Sequence, residues 1–161
     1  LPAMSISLSL TTFVSQNVGA EAYHRAKRCV WYGLGMVTVI TGLFGAAITL
    51  LAEPSIALFN TDPQVIAYGA GMARRVAPFL ILPGLSHAIA GALRGFGQAK
   101  IPMILLLVTW CLMRVAWIAG LNILVHDIRV VYWAYPVTWV ASTVLLGWAY
   151  RRQGRRVLPH P

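Results

Sequence analysis

Twenty-two consecutive residues, Val30 to Leu51, carry no charged side chain. A helix of that length rises about 33 Å, enough to cross a hydrocarbon layer about 30 Å thick. In oil, each backbone polar group must find its partner within the protein, so an open run of this kind is stable only as an α-helix. The rest of the chain has the same character. Of its 161 residues, 58% are hydrophobic and 11% charged, where a soluble domain carries about a quarter charged residues. Too few polar side chains exist to cover a water-facing surface, and the bias is the reverse of that of a disordered chain. The expectation is an all-α polytopic membrane protein with one membrane domain.

Five apolar segments are expected as spans: about 1–19, 30–51, 64–93, 101–125 and 130–150, followed by a basic, frayed tail over 151–161. The first segment opens directly at Leu1 with no basic leader. It therefore reads as the interior of a longer protein cut near a helix start, not as a signal peptide. Asn60-Thr61-Asp62-Pro63 predicts a helix start, a capping side chain followed by proline at the first helical position. Pro78 and Pro83 are expected to kink the third span, because each removes a backbone donor. Gly91-x-x-x-Gly95 and the small residues of the second span permit close helix approach.

The chain holds 13 Lys and Arg against four acids, Glu21, Glu53, Asp62 and Asp127. In a membrane protein such an excess sets orientation and does not argue for nucleic acid. With alternating spans, one side receives Arg25, Lys27, Arg28, Arg94, Lys100, Arg151, Arg152, Arg155 and Arg156. The other receives Arg74, Arg75 and Arg129. Nine cations against three place the first side, and with it the C-terminus, in the cytoplasm of a multi-pass cell-membrane protein. Trp31, Tyr32, Tyr132, Trp133, Tyr135, Trp148 and Tyr150 sit near span ends, as an interfacial belt requires.

None of the four acids falls inside a span, so an intramembrane carboxylate of the kind that ion-coupled transporters use is expected elsewhere in the full protein. Arg114 is the one charge within a span. It either faces the bundle interior or a wet cavity, or it snorkels to the headgroups. His87 lies in the third span beside Ser86, as a relay or ligand contact or as a packed structural histidine. Sequence neighbours on one helix do not align as nucleophile and base, and no Gly-x-Ser-x-Gly motif exists, so no catalytic residues are assigned and an enzyme is not expected. Cys29 and Cys111 have no metal-ligand spacing; a single disulfide stays open. No cofactor or metal site is assigned.

Several stretches together resemble one family. Phe13-Val14-Ser15-Gln16-Asn17-Val18-Gly19-Ala20 with Arg25-Ala26-Lys27, Leu58-Phe59-Asn60-Thr61-Asp62-Pro63-Gln64-Val65-Ile66, and Leu93-Arg94-Gly95-Phe96-Gly97 are similar to parts of helices eight to ten of multidrug and toxic compound extrusion (MATE) transporters. Leu112-Met113-Arg114-Val115 and Tyr135-Pro136-Val137-Thr138-Trp139 resemble parts of helices eleven and twelve. The resemblance implies most of the second six-helix lobe, with helices two to six of the similar first lobe as the rival assignment. It implies export of drugs or toxic organic cations in exchange for protons or sodium by alternating access, with the coupling ion held mainly in the missing N-terminal lobe. Gln16, Asn17, His87 and Arg114 are the candidates for substrate or gating roles, and Gly95 and Gly97 for the cytoplasmic turn, where an absent Cβ permits positive φ. Two alternatives are a lipid-linked saccharide flippase of related architecture, expected to carry more cavity-facing charge than Arg114, and an inactive remnant. The chain is expected to run as a monodisperse species in detergent and to aggregate without it. Size-exclusion chromatography checks this, and a sharp peak in plain buffer would overturn the membrane assignment.

Overall fold

The computed structural model describes residues 2–124 and 129–157. His126 and Asp127, expected in the loop before the last span, lie outside the described residues, as do Leu1 and residues 158–161. The helices run α1 (Pro2–Gly19), α2 (Tyr23–Leu50), α3 (Ala52–Ala57), α4 (Pro63–Val76), α5 (Ile81–Gly95), α6 (Lys100–Leu107), α7 (Met113–Leu124) and α8 (Arg129–Val157). A 3-10 turn, Ala77–Leu80, joins α4 to α5, and a π-helical turn, Val108–Leu112, joins α6 to α7. The runs Tyr23–Leu50, Pro63–Gly95 and Lys100–Gly120 are long and apolar enough to cross a membrane. The first and fifth expected segments form helices too, as α1 and α8.

Local chemistry explains most of these boundaries. Asp62 caps α4: its side chain accepts from the Gln64 N–H at 2.8 Å, with Pro63 at the first helical position. Glu21 takes a left-handed φ of 55° and Gly97 a φ of 79°, and these residues close the turns after α1 and α5. Pro78 lies in the 3-10 turn and Pro83 in the first turn of α5, where a missing N–H is best tolerated. Three boundaries differ from the sequence expectation. The second span begins at Tyr23, because Ala26 and Val30 are buried on the face opposite the basic residues. The loop after it contains α3, whose Glu53 pairs with Arg74 at 3.0 Å. The tail is helical through Val157, which packs onto the cluster of Val14, Ala26, Val30, Ala92 and Phe96. Arginines in that last turn also suit the negative end of the helix dipole.

Helix α5 is the hub. Its Ala88 packs against Leu10 of α1 and Val37 of α2. Ile89 and Leu93, one turn apart, pack against Leu146 and Ala149 of α8. The approach of α1 to α5 is close enough to exclude any side chain. A Cβ at Gly91 would collide with the Ser7 carbonyl oxygen, and one at Gly95 would lie 2.6 Å from Val14 Cβ. Across this seam Thr11 Oγ1 lies 2.9 Å from the Ser7 carbonyl and 3.1 Å from the Gly91 carbonyl. Ser7, itself buried, donates to the His87 carbonyl and accepts from Arg94 Nη2 at 2.9 Å.

In lipid, helix association rests on such packing and polar contacts, because lipid tails are as apolar as a leucine. Gly91→Ala should therefore destabilise the bundle by about 1–3 kcal/mol, the usual cost of overpacking. Gly35→Ala, which meets nothing within 4 Å, should be neutral or gain up to about 1 kcal/mol of helix propensity. Thermal unfolding in detergent micelles compares the two.

Candidate functional site

Helix α6 should run straight into α7, and the sequence offers no proline or glycine between them. Instead, Val108–Leu112 widens into a π turn, which shifts the register of everything beyond it. Thr109 is buried there, its hydroxyl donating to the Leu105 carbonyl at 2.8 Å. Single π turns inside α-helices recur at functional sites because they re-aim side chains. Here the side chains concerned are Trp110 and Arg114.

Trp110 meets His87 of α5 edge-on, with ring centroids 5.2 Å apart and planes at 89°. Arg114, one turn further, points at α8. Its Nη2 donates to Thr138 Oγ1 at 2.9 Å, and its Cζ sits 4.4 Å from the centroid of the Tyr135 ring. Thr138 is fully buried and can accept because its own hydroxyl donates to the Ala134 carbonyl at 2.8 Å. Tyr135 in turn meets Trp139 at 5.8 Å. The guanidinium therefore turns toward α8. Stacking on a ring and one hydroxyl bond make this partly desolvated position tolerable. Two buried donors of the group, Trp110 Nε1 and Arg114 Nε, have no hydrogen-bond partner among the described residues.

Of the sequence candidates, His87 meets Trp110 in the π turn, and Arg114, four residues further, meets α8. His87 also borders an apolar cavity of about 300 Å³ between α1, α2 and α5, with Phe44, Thr41 and Pro83 on its walls. Gln16 and Asn17 lie apart, at the end of α1. Gln16 is exposed, and Asn17 Nδ2 donates to the Phe13 carbonyl at 2.7 Å. Gly95 does not serve a turn through positive φ. It lies within α5, and the space its missing Cβ leaves belongs to Val14. Gly97 has the left-handed backbone expected of it. Ser86 faces Ser142 and Thr143 of α8, each at 2.9 Å, and makes no pair with His87.

Sequence reasoning missed Trp110, took Tyr135 for an interfacial ring and gave Thr138 no role of its own. The three-residue step from Tyr135 to Thr138 puts a ring and a hydroxyl on one face of α8, and that spacing is the signal that could have found them. It also misplaced Arg94, expected in a connector but held within α5 against Ser7. Among the described residues no His, Cys, Asp or Glu cluster could hold a metal, and both cysteines are free. Arg94 and Arg114 are both part-buried, and among the described residues no carboxylate is bonded to either; the ion pair there is Arg74–Glu53. The chemistry that the described residues offer here is recognition, by stacking and by donation to an acceptor.

The family model described as MatE matches residues 1–118. The chain is 28% identical over 161 residues to a probable multidrug resistance protein NorM of Aromatoleum aromaticum, covering 95% of this chain and 34% of that protein. It is 29% identical over 143 residues to an FAD transporter of Shewanella oneidensis, covering 84% of this chain and 30% of that one. The crystal structure of the eukaryotic MATE transporter AtDTX14 superposes with a TM-score of 0.77 at 21% identity, over 96% of this chain and 36% of that chain. The last likeness shows the fold. The chain spans about a third of the length of the curated relatives it matches.

Thr138→Val should remove the acceptor for Arg114 and cost about 1–3 kcal/mol, the range for a buried donor left unsatisfied. In a double-mutant cycle with Arg114→Leu, measured by unfolding in detergent, a coupling of at least about 0.5 kcal/mol is expected. Additivity would mean that the guanidinium does not rest on α8.

Proposed function

The chain belongs to the MatE family, and from that premise we propose that it works within a secondary active multidrug efflux antiporter as helices eight to twelve of its second lobe. Cationic or amphipathic compounds leave as the two lobes rock against each other, in exchange for protons or sodium. The strongest support is the family match over residues 1–118, together with relatives named as multidrug resistance proteins. The excess of Lys and Arg on one side of the spans supports a C-terminus in the cytoplasm and a site in the cell membrane.

The physical division of labour follows from the residues. The seam of α1 on α5 is too tight to slide, so the α1–α2–α5 unit moves as one body. His87 on α5 meets Trp110 within the π turn, and Arg114 follows on α7 against α8. Glu21, Glu53 and Asp62 lie in a turn, in α3 and at a helix cap, outside the apolar runs. The coupling ion therefore binds mainly in the lobe that precedes these helices, which is also the chain's partner. A second reading has one specific observation behind it. One relative is named as an FAD transporter, and two part-buried guanidiniums with no carboxylate partner among the described residues suit an anionic substrate.

Proteoliposomes containing a full-length transporter that includes this chain provide the test. Export of an organic cation should stop when the imposed proton and sodium gradients are collapsed; unchanged export refutes antiport. Gradient-driven export of FAD in preference to organic cations would establish the second reading. The 161-residue chain alone should move neither, because half of the cavity wall is absent.

A further inference from the structure

We propose that the groove between the start of α6 and the end of α8 binds the phosphate headgroup of an anionic phospholipid. The groove has a volume of about 370 Å³, and Ile101, Ile104, Leu105, Trp148, Arg152 and Arg156 form its walls. Arg152 and Arg156 are one turn apart, so their side chains leave α8 on the same face. Arg152 Cζ lies 5.3 Å from the centroid of the Trp148 ring. That contact orients one guanidinium at the rim and leaves its donors outward. The indole itself is 60% exposed, as a ring at a membrane interface would be.

Charge complementarity sets the sign of the occupant. Among the described residues neither arginine has a carboxylate partner; the ion pair there is Arg74–Glu53, on α4 and α3. A guanidinium fork pairs in bidentate fashion with the oxygens of a phosphate. The walls set its class. The α6 side is purely aliphatic and continues outward into Met103, Ile104 and Leu107, all more than half exposed. A free phosphate would engage the arginines and leave this wall unused, whereas a phospholipid lays an acyl chain along α6 while its phosphate meets α8. Basic residues just beyond a span attract anionic headgroups in this way.

The test is native mass spectrometry of the 161-residue chain in detergent, with dioleoyl phosphatidylglycerol and dioleoyl phosphatidylcholine offered at equal concentration. A preference for phosphatidylglycerol of roughly tenfold is expected. R152Q/R156Q should reduce it to within about twofold. R151Q/R155Q removes the same charge away from the groove and should keep most of it. W148L retains all charge and should weaken the preference about threefold, which gives a reading even where the double arginine variant fails to fold. Equal binding of the two lipids overturns the site. So does an equal loss in the two arginine pairs, which would mean diffuse attraction. Displacement of phosphatidylglycerol by millimolar inorganic phosphate would make the groove a phosphate site and overturn the lipid assignment.

Discussion

The backbone of α1 lies directly against the backbone of α5, and most of the architecture follows from that contact. Gly91 and Gly95 provide the two places without a side chain, and Ser7 and Val14 occupy them. Such intimacy lets Ser7 and Thr11 reach carbonyls on the neighbouring helix, and it draws Arg94 inward to bond Ser7. Where no hydrophobic force separates protein from lipid, short-range packing and these polar contacts are what hold helices together. The same small-residue logic recurs where Gly84 meets Thr41 and where Gly45 meets the carbonyl of Ala77. These contacts fix α5 against α2 and set the 3-10 turn above it.

A bundle this dry must also deal with its hydroxyls. Thr38, Thr41, Thr49, Thr109 and Thr138 each donate to a carbonyl one turn back in their own helix, which satisfies them without a partner elsewhere. A few polar groups reach across instead: Ser86 to Ser142 and Thr143, Tyr132 to Tyr68, Arg114 to Thr138. Each of these ties α8 to the rest. Helix α8 is therefore joined by hydroxyls and a guanidinium, while α1 meets α5 through bare glycines together with the Ser7, Thr11 and Arg94 bonds. Arg94 and Arg114 lie on opposite sides of this division, Arg94 on the glycine seam and Arg114 against α8.

Much of the helix inventory was legible because a membrane leaves few choices. Uncharged runs, an Asp-Pro start and a Gly91-x-x-x-Gly95 pair all carry meaning that does not depend on neighbours. The site was less legible. Arg114 stood out as a charge in oil, yet which way it turned depended on Tyr135 and Thr138, more than twenty residues away. His87 was visible, but its neighbour Trp110 was not, because a regular α-helix through residues 108–112 would aim that indole elsewhere. Gln16 and Asn17 were candidates under the family resemblance, and the structure places them at the end of α1, apart from His87 and Arg114.

The amino-acid sequence alone determined that this chain lives in a bilayer as a set of helices, because burying uncharged backbone in oil permits little else. It also determined where along the chain the cations cluster, since charge is a property of residues and not of arrangement. Tertiary structure decided the rest: the π turn, the turn of Arg114 toward α8, the recruitment of Arg94 by Ser7 and the groove at the end of α8. Each of these depends on where a second helix places a ring, a hydroxyl or a bare α-carbon. Local periodicity carries no information about such distances.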